Sequence, residues 1–384
     1  MSKLEELINK LCPNGVEFKK IEEVCDNVFA GGTPRTSNKD YYGGNIPWLR
    51  SGEINFNIID DAEIKITEKG LNESSAKWIK EYSVLIAMTG ATVARSAVNI
   101  KRITANQSVC AMEPSEIVNY KFLYYYVESM YNNIKGMAQG ALTSINLSII
   151  KSISIPVPPL EVQCEIVRIL DNFTLLSAEL SAELSARQKQ YEYYSKELFN
   201  FNDDVEFISL ESIADIGTGS SNTNEAVEDG QYPFYVRSQQ VYYKNNYEYD
   251  DNSIITSGDG VGVGKIFHYT DGKYALHQRA YRINITNNKV NSKYFYYYMK
   301  STFYDYIQKN AFNSSVTSIR RPMLNKYPIP ILSLEKQNKI VNILEKFDKL
   351  CNDLSEGLPA EIEARKKQYE YYRDKLLTFK ELKS

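Results

Sequence analysis

Apolar residues recur along this chain with two different periods. From Val162 to Phe199 they fall at Ile166, Leu170, Phe173, Leu176, Leu180, Leu184, Tyr191, Tyr194 and Leu198. Most steps are three, four or seven residues, which puts the set on one face of a helix. A second stripe runs through Ile340, Leu344, Phe347, Leu350, Leu354, Ile362, Tyr369, Tyr372 and Leu376. A stripe this narrow, held for so long, needs a partner helix, and each stripe can supply the other's. Proline-marked entries, "PVPPLE" and "PIPILSLE", precede both and suit a loop that starts a helix. Gly357 and Pro359 predict a kink or interruption in the second run. Elsewhere the period shortens. Runs such as "SVLIAM" and "SIITSG", punctuated by "YYGGN", "GDG" and "TDG", predict short strands and tight turns. "KFLYYYVES" and "KYFYYYMKS" read as helices that pack an aromatic face into a core.

The pattern is written twice. "GVEFKKIEEVCD" (15–26), "NYKFLYYYVESM" (119–130), "IPVPPLEVQCEIVRILDNF" (155–173) and "RQKQYEYYSKELFNF" (187–201) return, in the same order, as "DVEFISLESIAD" (204–215), "NSKYFYYYMKST" (291–302), "IPILSLEKQNKIVNILEKF" (329–347) and "RKKQYEYYRDKLLTF" (365–379). Four ordered matches establish a duplicated unit of roughly half the chain. Gln163 and Gln337 are 174 positions apart, but Arg187 and Arg365 are 178 apart. The two helical runs therefore differ by four residues, close to one helical turn. In the first run that interval holds "SAELSAELSA" (177–186), a tandem four-residue unit. It reads as a spacer whose length can change while its faces stay nearly in phase. The second run, with "NDLSEGLPAEIEA" there, is expected to be the longer helix.

Composition narrows the class. Five cysteines are scattered with no CxxC, and there are two histidines. That suits a reducing cytoplasm and argues against a structural metal site. No apolar run approaches membrane-spanning length, and "MSKLEELINKLCPNG" lacks the apolar core of a signal peptide. The expected location is cytoplasmic. The net charge of −3 weighs against nucleic acid, but its distribution reverses that locally. From Tyr82 to Met112 there is no acid, while Arg95, Lys101 and Arg102 are present. From Gly272 to Leu334, Asp305 stands alone against ten lysines and arginines.

The motifs that could carry catalysis fail their tests. "SGDGVGVGK" (257–265) resembles a phosphate loop, yet Asp259 sits where the first glycine is needed and Ile266 follows the lysine. A glycine-rich hairpin is the better reading. "DDAEIK" (60–65) offers a carboxylate–lysine set of the kind some nucleases place around a metal, but the second copy has no equivalent. No Asn- or Asp-Pro-Pro-aromatic methyltransferase motif occurs. No catalytic residue and no metal ligand is assigned.

The ordered motifs resemble the specificity subunit of Type I restriction–modification systems. The resemblance spans essentially the whole chain and rests on "GGTPRTSNKDYYGGNIPWLRSGEI" (31–54), "LIAMTGATVARSAV" (85–98), "SIPVPPLEVQCEIVRILDNF" (154–173) and "RKKQYEYYRDKLL" (365–377). It implies an α+β fold. Two mixed α/β target-recognition domains, short strands plus helices, are joined by two long helices that form an antiparallel coiled coil, with a pseudo-two-fold internal repeat. The expected divisions are 1–155 and 202–329 for the recognition domains, and 156–201 and 330–384 for the helical spacers. It further implies double-stranded DNA as ligand, two adenine-N6 methyltransferase (modification) subunits as partners, restriction subunits that can add to that core, and no membrane. No cofactor is expected in this chain. S-adenosylmethionine, ATP and Mg²⁺ would sit on partner subunits. The second domain departs from the first, with "GTGSSNTN" (217–224) and "YPFYVRSQQV" (232–241) at the matching places, so the two half-sites should differ.

Reading a major groove takes donors and acceptors at loop tips. In the first domain the candidates are Thr33, Arg35, Arg50, Ser51, Arg95, Lys101, Arg102, Asn106, Gln107, Thr143 and Ser144. In the second they are Arg237, Ser238, Gln239, Lys265, His277, Gln278, Arg279, Thr317, Ser318, Arg320 and Arg321. "ANQS" matches "LHQR", and "LTSI" matches "VTSI". A continuous helix from Val162 to Phe199 would span ~57 Å, against ~34–36 Å for a turn of B-DNA, so a bipartite target with an unspecified gap is expected. Two other classes stay open. One is a stand-alone nuclease resting on "DDAEIK"; the other is a coiled-coil assembly protein that binds no DNA.

Overall fold

The computed structural model describes residues 2–138, 144–201, 205–310 and 318–382. The chain forms two compact units, Met1–Glu179 with Ile362–Ser384, and Leu180–Glu361.

Apart from a two-stranded pairing of Glu17–Lys20 with Ser154–Val157, the first unit is built on β1 (Cys25–Ala30), β2 (Tyr42–Leu49), β3 (Asn57–Ile59), β4 (Ile64–Ile66), β5 (Trp78–Ile79), β6 (Val84–Ala87), β7 (Ser96–Asn99), β8 (Ile103–Ala105) and β9 (Val109–Pro114). Among the described residues they make a five-stranded sheet, β1-β9-β6-β7-β3, and a four-stranded sheet, β4-β2-β8-β5. β6 is buried along its whole length, which explains why it reads as an unbroken apolar run. Val84 and Ile86 face one core, with Cys110, Met112 and Phe122. Leu85 and Ala87 face another, with Leu49, Ile103 and Ala111. Helix α1 (Tyr120–Ser129) is capped by Asn119, whose side chain accepts from Lys121 N and Phe122 N.

The second unit repeats the plan with β10 (Ala214–Thr218), β11 (Tyr232–Tyr235), β12 (Tyr242–Lys244), β13 (Tyr249–Ser257), β14 (Phe267–Leu276) and β15 (Ala280–Ile285). They form one six-stranded sheet, β10-β15-β13-β14-β11-β12. β14 is continuous for ten residues, with Gly272 at φ 96°. In the first unit the corresponding path is broken into β7 and β8 by the turn at Ile100–Arg102, and two sheets result. The "SGDGVGVGK" stretch connects antiparallel β13 and β14, so it is a hairpin.

Helix α2 (Leu160–Glu197) is continuous for 38 residues, and α3 (Ser292–Asn310) matches α1. The second helical run is two helices, α4 (Leu334–Asn352) and α5 (Leu358–Leu376), of 19 residues each. The helical content of the two runs is therefore equal. The expectation of a longer second helix is corrected: the four extra residues lie in the connector, not in helix. Asp353 closes α4, and its Oδ1 accepts from Ser355 N at 2.7 Å and Glu356 N at 3.2 Å. At Gly357 a Cβ would lie 2.6 Å from the carbonyl oxygens of Asp353 and Lys349, so glycine is required there. Pro359 then sits in the first turn of α5, where its missing N–H is harmless.

The two runs pair as an antiparallel coiled coil. Within the first unit Phe173 stacks on Tyr372 at 5.6 Å between ring centroids. Within the second, Tyr191 and Tyr194 meet Phe347 at 6.2 and 5.9 Å. The half-buried positions of α2 beyond Asp171 run Phe173, Ser177, Leu180, Leu184, Arg187, Tyr191 and Ser195, with Leu198 just past its end. Every step is three or four residues, the spacing of a coiled-coil seam. Leu176, expected in the stripe, is 46% exposed, and Ser177 holds its place. Leu354 is 84% exposed because it falls in the connector rather than on a helix.

Each unit is locked to its long helix by a buried glutamine. Gln163 Oε1 accepts from Asn119 N at 2.8 Å, and its Nε2 donates to Ile117 O and Pro158 O at 3.0 and 2.7 Å. Gln337 Oε1 accepts from Asn291 N at 2.8 Å, and its Nε2 donates to Lys289 O and Leu332 O at 2.7 and 2.9 Å. Both side chains are fully buried and satisfy three backbone groups that the loop geometry leaves unpaired. Among the described residues no helix is long and apolar enough to cross a membrane.

Candidate nucleic-acid interface

Three backbone segments meet at the same end of the sheets in each unit. The loop after the first long strand comes first. A Cβ on Gly31 would collide with Ala105 O, and one on Gly219 with Leu276 O, so only glycine lets the loop approach. Gly32 N then donates to Ala105 O at 2.8 Å, and Ser221 N to Leu276 O at 3.2 Å. The second segment is a side-chain-capped turn. Asn106 Oδ1 accepts from Ser108 N at 3.1 Å; His277 Nδ1 accepts from Arg279 N at 3.0 Å. The third is the hairpin following β6 or β13. Met88 N donates to Ser108 O and accepts, through its carbonyl, from Ile145 N, both 2.8 Å. Gly258 N donates to Arg279 O at 2.9 Å, and its carbonyl accepts from Ile319 N at 2.8 Å. Isolated bridges Thr89–Ser144 and Asp259–Ser318 complete the match.

This frame assembles many of the candidate readers. In the first unit it gathers Thr33, Arg50, Ser51, Asn106, Gln107 and Ser144. Thr33 donates to Gln107 Oε1, Asn106 N reaches Leu49 O next to Arg50 at 2.9 Å, and Thr92 Oγ1 donates to Ser51 O at 2.8 Å. Arg95 closes the hairpin, with Nη1 donating to Asn55 Oδ1 at 2.8 Å. Arg35 is exposed on the glycine loop. Lys101 and Arg102 are not part of the group. They occupy the β7–β8 turn, at the other end of both strands, where Lys101 lies 3.9 Å from Asp60 and Arg102 covers Trp78. In the second unit the frame gathers Arg237, His277, Gln278, Arg279 and Ser318. Gln278 Nε2 donates to Asn222 Oδ1 at 2.6 Å, the counterpart of the Thr33–Gln107 bond. Arg320 and Arg321 follow at the start of a short helix, both exposed. Lys265 closes the hairpin as Arg95 does, over the ring of Tyr304. Ser238 and Gln239 lie beyond Arg237, where Ser238 O accepts from His268 Nε2 at 3.0 Å. Thr143 and Thr317 lie outside the described residues.

Electrostatically the two frames differ. Arg50 is paired with Glu53 at 3.6 Å and with Glu63. Lys65 is paired with Asp61. With Asp60 near Lys101, the acids of "DDAEIK" are spent on neighbouring bases. Among the described residues no group of three His, Cys, Asp or Glu side chains is placed to hold a metal. In the second unit Asp259 Oδ1 accepts from Arg237 Nη1 at 2.5 Å and Oδ2 from Arg279 Nη1 at 3.3 Å. His277 is buried, and burial followed by the charges of Arg237 and Arg279 pushes its pKa below the ordinary value. Neutral His277 can accept at Nδ1 and keep its proton on Nε2.

Sequence reasoning missed three features. Gln163 and Gln337 served only to mark the repeat, although their recurrence was a signal for a shared structural role. In sequence Asp259 reads only as a misfit in a phosphate loop. Arg373 Nη1 lies 3.5 Å from Glu128 Oε1, a contact between positions far apart in sequence that no local pattern reveals.

A duplicated frame that carries different polar tips on each copy, beside paired long helices, defines a two-part recognition scaffold. The model of the Type I restriction modification DNA specificity domain matches residues 13–187 and 202–364, and the chain belongs to that family. It is 33% identical over 288 residues to the Type I restriction enzyme EcoR124I/EcoR124II specificity subunit of Escherichia coli, covering 67% of this chain and 70% of that protein. Its fold is similar to the Type I restriction–modification S subunit of M. genitalium, with TM-score 0.60, 16% identity, and 98% and 99% of the two chains covered. It is also similar to a chain solved in work on complex assembly and conformational transition of the type I R-M system, with TM-score 0.63, 16% identity, and 96% and 98% covered.

Proposed function

We propose that this specificity subunit reads a bipartite, asymmetric DNA target, one half with each unit, across an unspecified gap. It contributes recognition, not catalysis. The reading rests on one observation: the two units repeat the same backbone frame with different side chains at its tips. A repeated frame presents two equivalent surfaces to a duplex, and different tips select different bases. The chain would join two adenine-N6 methyltransferase subunits, to which restriction subunits can add, in the cytoplasm. S-adenosylmethionine, ATP and Mg²⁺ belong to those partners in this reading.

The seam position of Leu180 and Leu184 makes "SAELSAELSA" the adjustable part. Adding one Ser-Ala-Glu-Leu unit lengthens a helix by ~6 Å and turns its end by ~40°. The expected result is a methylated motif with both half-sites kept and a gap wider by about one or two base pairs, from the ~3.4 Å rise implied by a ~34–36 Å turn. Mapping methylated adenines in cells that carry the variant complex tests this. Changed half-sites with the old gap would refute it.

A further inference from the structure

The second unit carries a feature that the first lacks, in the middle of its gathered tips. Asp259 follows β13, Arg237 follows β11, and Arg279 lies in the turn before β15. One carboxylate holds both guanidinium groups, one on each oxygen, at 2.5 and 3.3 Å. The matching residues of the first unit are Thr89, Ser51 and Ser108, all uncharged. The side chains are 28% exposed at Asp259, 38% at Arg237 and 59% at Arg279, so the set is anchored at its base and open at its rim.

A carboxylate on a surface that meets a polyanion is repelled by phosphate. It is compatible with DNA where it faces a base-edge donor. Here it also restrains two long side chains. Among the described residues Asp259 is the only ion-pair partner of either arginine. Each guanidinium commits one nitrogen to it and keeps the rest of its planar donor edge. That edge fits guanine O6 and N7 bidentately, and a carboxylate accepts from cytosine N4. The backbone fixes the spacing: Gly258 N bonds to Arg279 O, and Arg279 N bonds to His277 Nδ1.

Building on the bipartite reading above, we propose that Asp259 is a specificity-determining residue of the second unit. It sets Arg237 and Arg279 as a fixed donor pair for a G·C base pair in the major groove and keeps phosphate away from that spot. Asp259 acts through the arginines, and its effect should be a loss of discrimination rather than of binding.

The test uses the full chain co-expressed with its modification subunits. The methylated motif is mapped first. Binding of the complex is then measured on duplexes in which each base pair of the motif is replaced in turn. The variants are Asp259→Asn, which keeps the shape, and Asp259→Thr, which installs the residue the first unit carries on the same backbone. The expected result is about a tenfold or greater loss of discrimination at one G·C pair of the second half-site. The first half-site should be unchanged, and affinity for unrelated DNA equal or higher. A second half-site with no G·C pair would overturn the proposal, as would an unaltered profile or a uniform loss across all positions. If the wild-type complex methylates no bipartite motif, the underlying reading fails with it. If it does, only the role of Asp259 is in question.

Discussion

At residue 128 the first unit has a glutamate; at the matching residue of the second, 300, there is a lysine. Glu128 receives Tyr369 Oη at 3.0 Å and Arg373 Nη1 at 3.5 Å, both from α5. Burial pushes its carboxyl up, and Arg373 and Tyr369 pull it back. Lys300 instead lies 3.4 Å from Asp348 on α4 and over the ring of Tyr191 on α2. Burial opposes its charge, yet Tyr296, Tyr191 and Asp348 hold its pKa above the ordinary range. The backbone frame is thus repeated while the charge at the helix contact is inverted. α2 carries Ser195 where α5 carries Arg373, so each unit is matched to the helix it holds. Duplication preserved the geometry; the charges make the halves non-interchangeable.

Glu128→Lys attacks that difference directly. It would place an ammonium beside Arg373, and both side chains of the native pair are about one-seventh exposed or less. Breaking a buried pair of this kind costs about 3–5 kcal/mol, read as lost thermal or urea stability. Adding Arg373→Ser and Thr174→Asp, which import the counterparts of Ser195 and Asp348, should recover much of the loss. No recovery would mean that the inverted charges are incidental to pairing.

The next largest effect tests what the units share. Gln163→Ala and Gln337→Ala each leave three backbone groups without their partner. With unsatisfied buried groups at about 1–3 kcal/mol each, and water free to reach some of them, a loss of about 2–3 kcal/mol is expected from either variant. Denaturation of the two proteins should give similar values. A large inequality would show that the two docks are not equivalent despite matching geometry.

Much of this architecture is legible in the sequence because duplication and periodicity are local signals. The stripes of α2, α4 and α5, the tyrosine helices and the hairpin after β13 all follow from spacing. The break at Gly357 was visible, but its consequence was not, because counting residues cannot tell a helical insertion from a connector. Leu176 and Ser177 exchanged roles for a related reason. Apolar side chains alone mark a stripe through Leu176, whereas coiled-coil spacing selects Ser177 regardless of polarity. The candidate site was legible as a set of loop tips. Lys101 and Arg102 separated from it because strand direction, not composition, decides which end of a sheet a turn occupies. Asp259 stayed hidden because its meaning depends on two arginines brought from 22 positions before it and 20 after it.

The two units should also differ, by the smallest margin, in their response to pH. Both histidines lie in the second unit. Burial lowers the pKa of His277, helped by Arg237 and Arg279 and opposed by Asp259 and Glu225. Burial likewise lowers His268, opposed by its bond to Ser238 O. The folded second unit therefore binds protons less readily than the unfolded chain. The histidine contribution to its stability is fully present above the ordinary value of 6.5 and is lost as pH falls below it. The first unit has no such group. Its strongest carboxylate shift is at Glu165, which hydrogen bonds from Arg168 and Lys3 hold down to about 2, so that contribution is present above the ordinary 4.5 and is lost only as pH falls toward 2. Mild acid should consequently weaken the second unit first. Hydrogen exchange at pH 7.5 and 5.5 would show protection falling in Leu180–Glu361 and holding in Met1–Glu179. His277→Asn, which installs the first unit's Asn106 solution to the same turn, should flatten part of that dependence. Asn106→His should transfer it to the first unit. If neither exchange moves the pH response, the capped turn is not where the two units differ in acid.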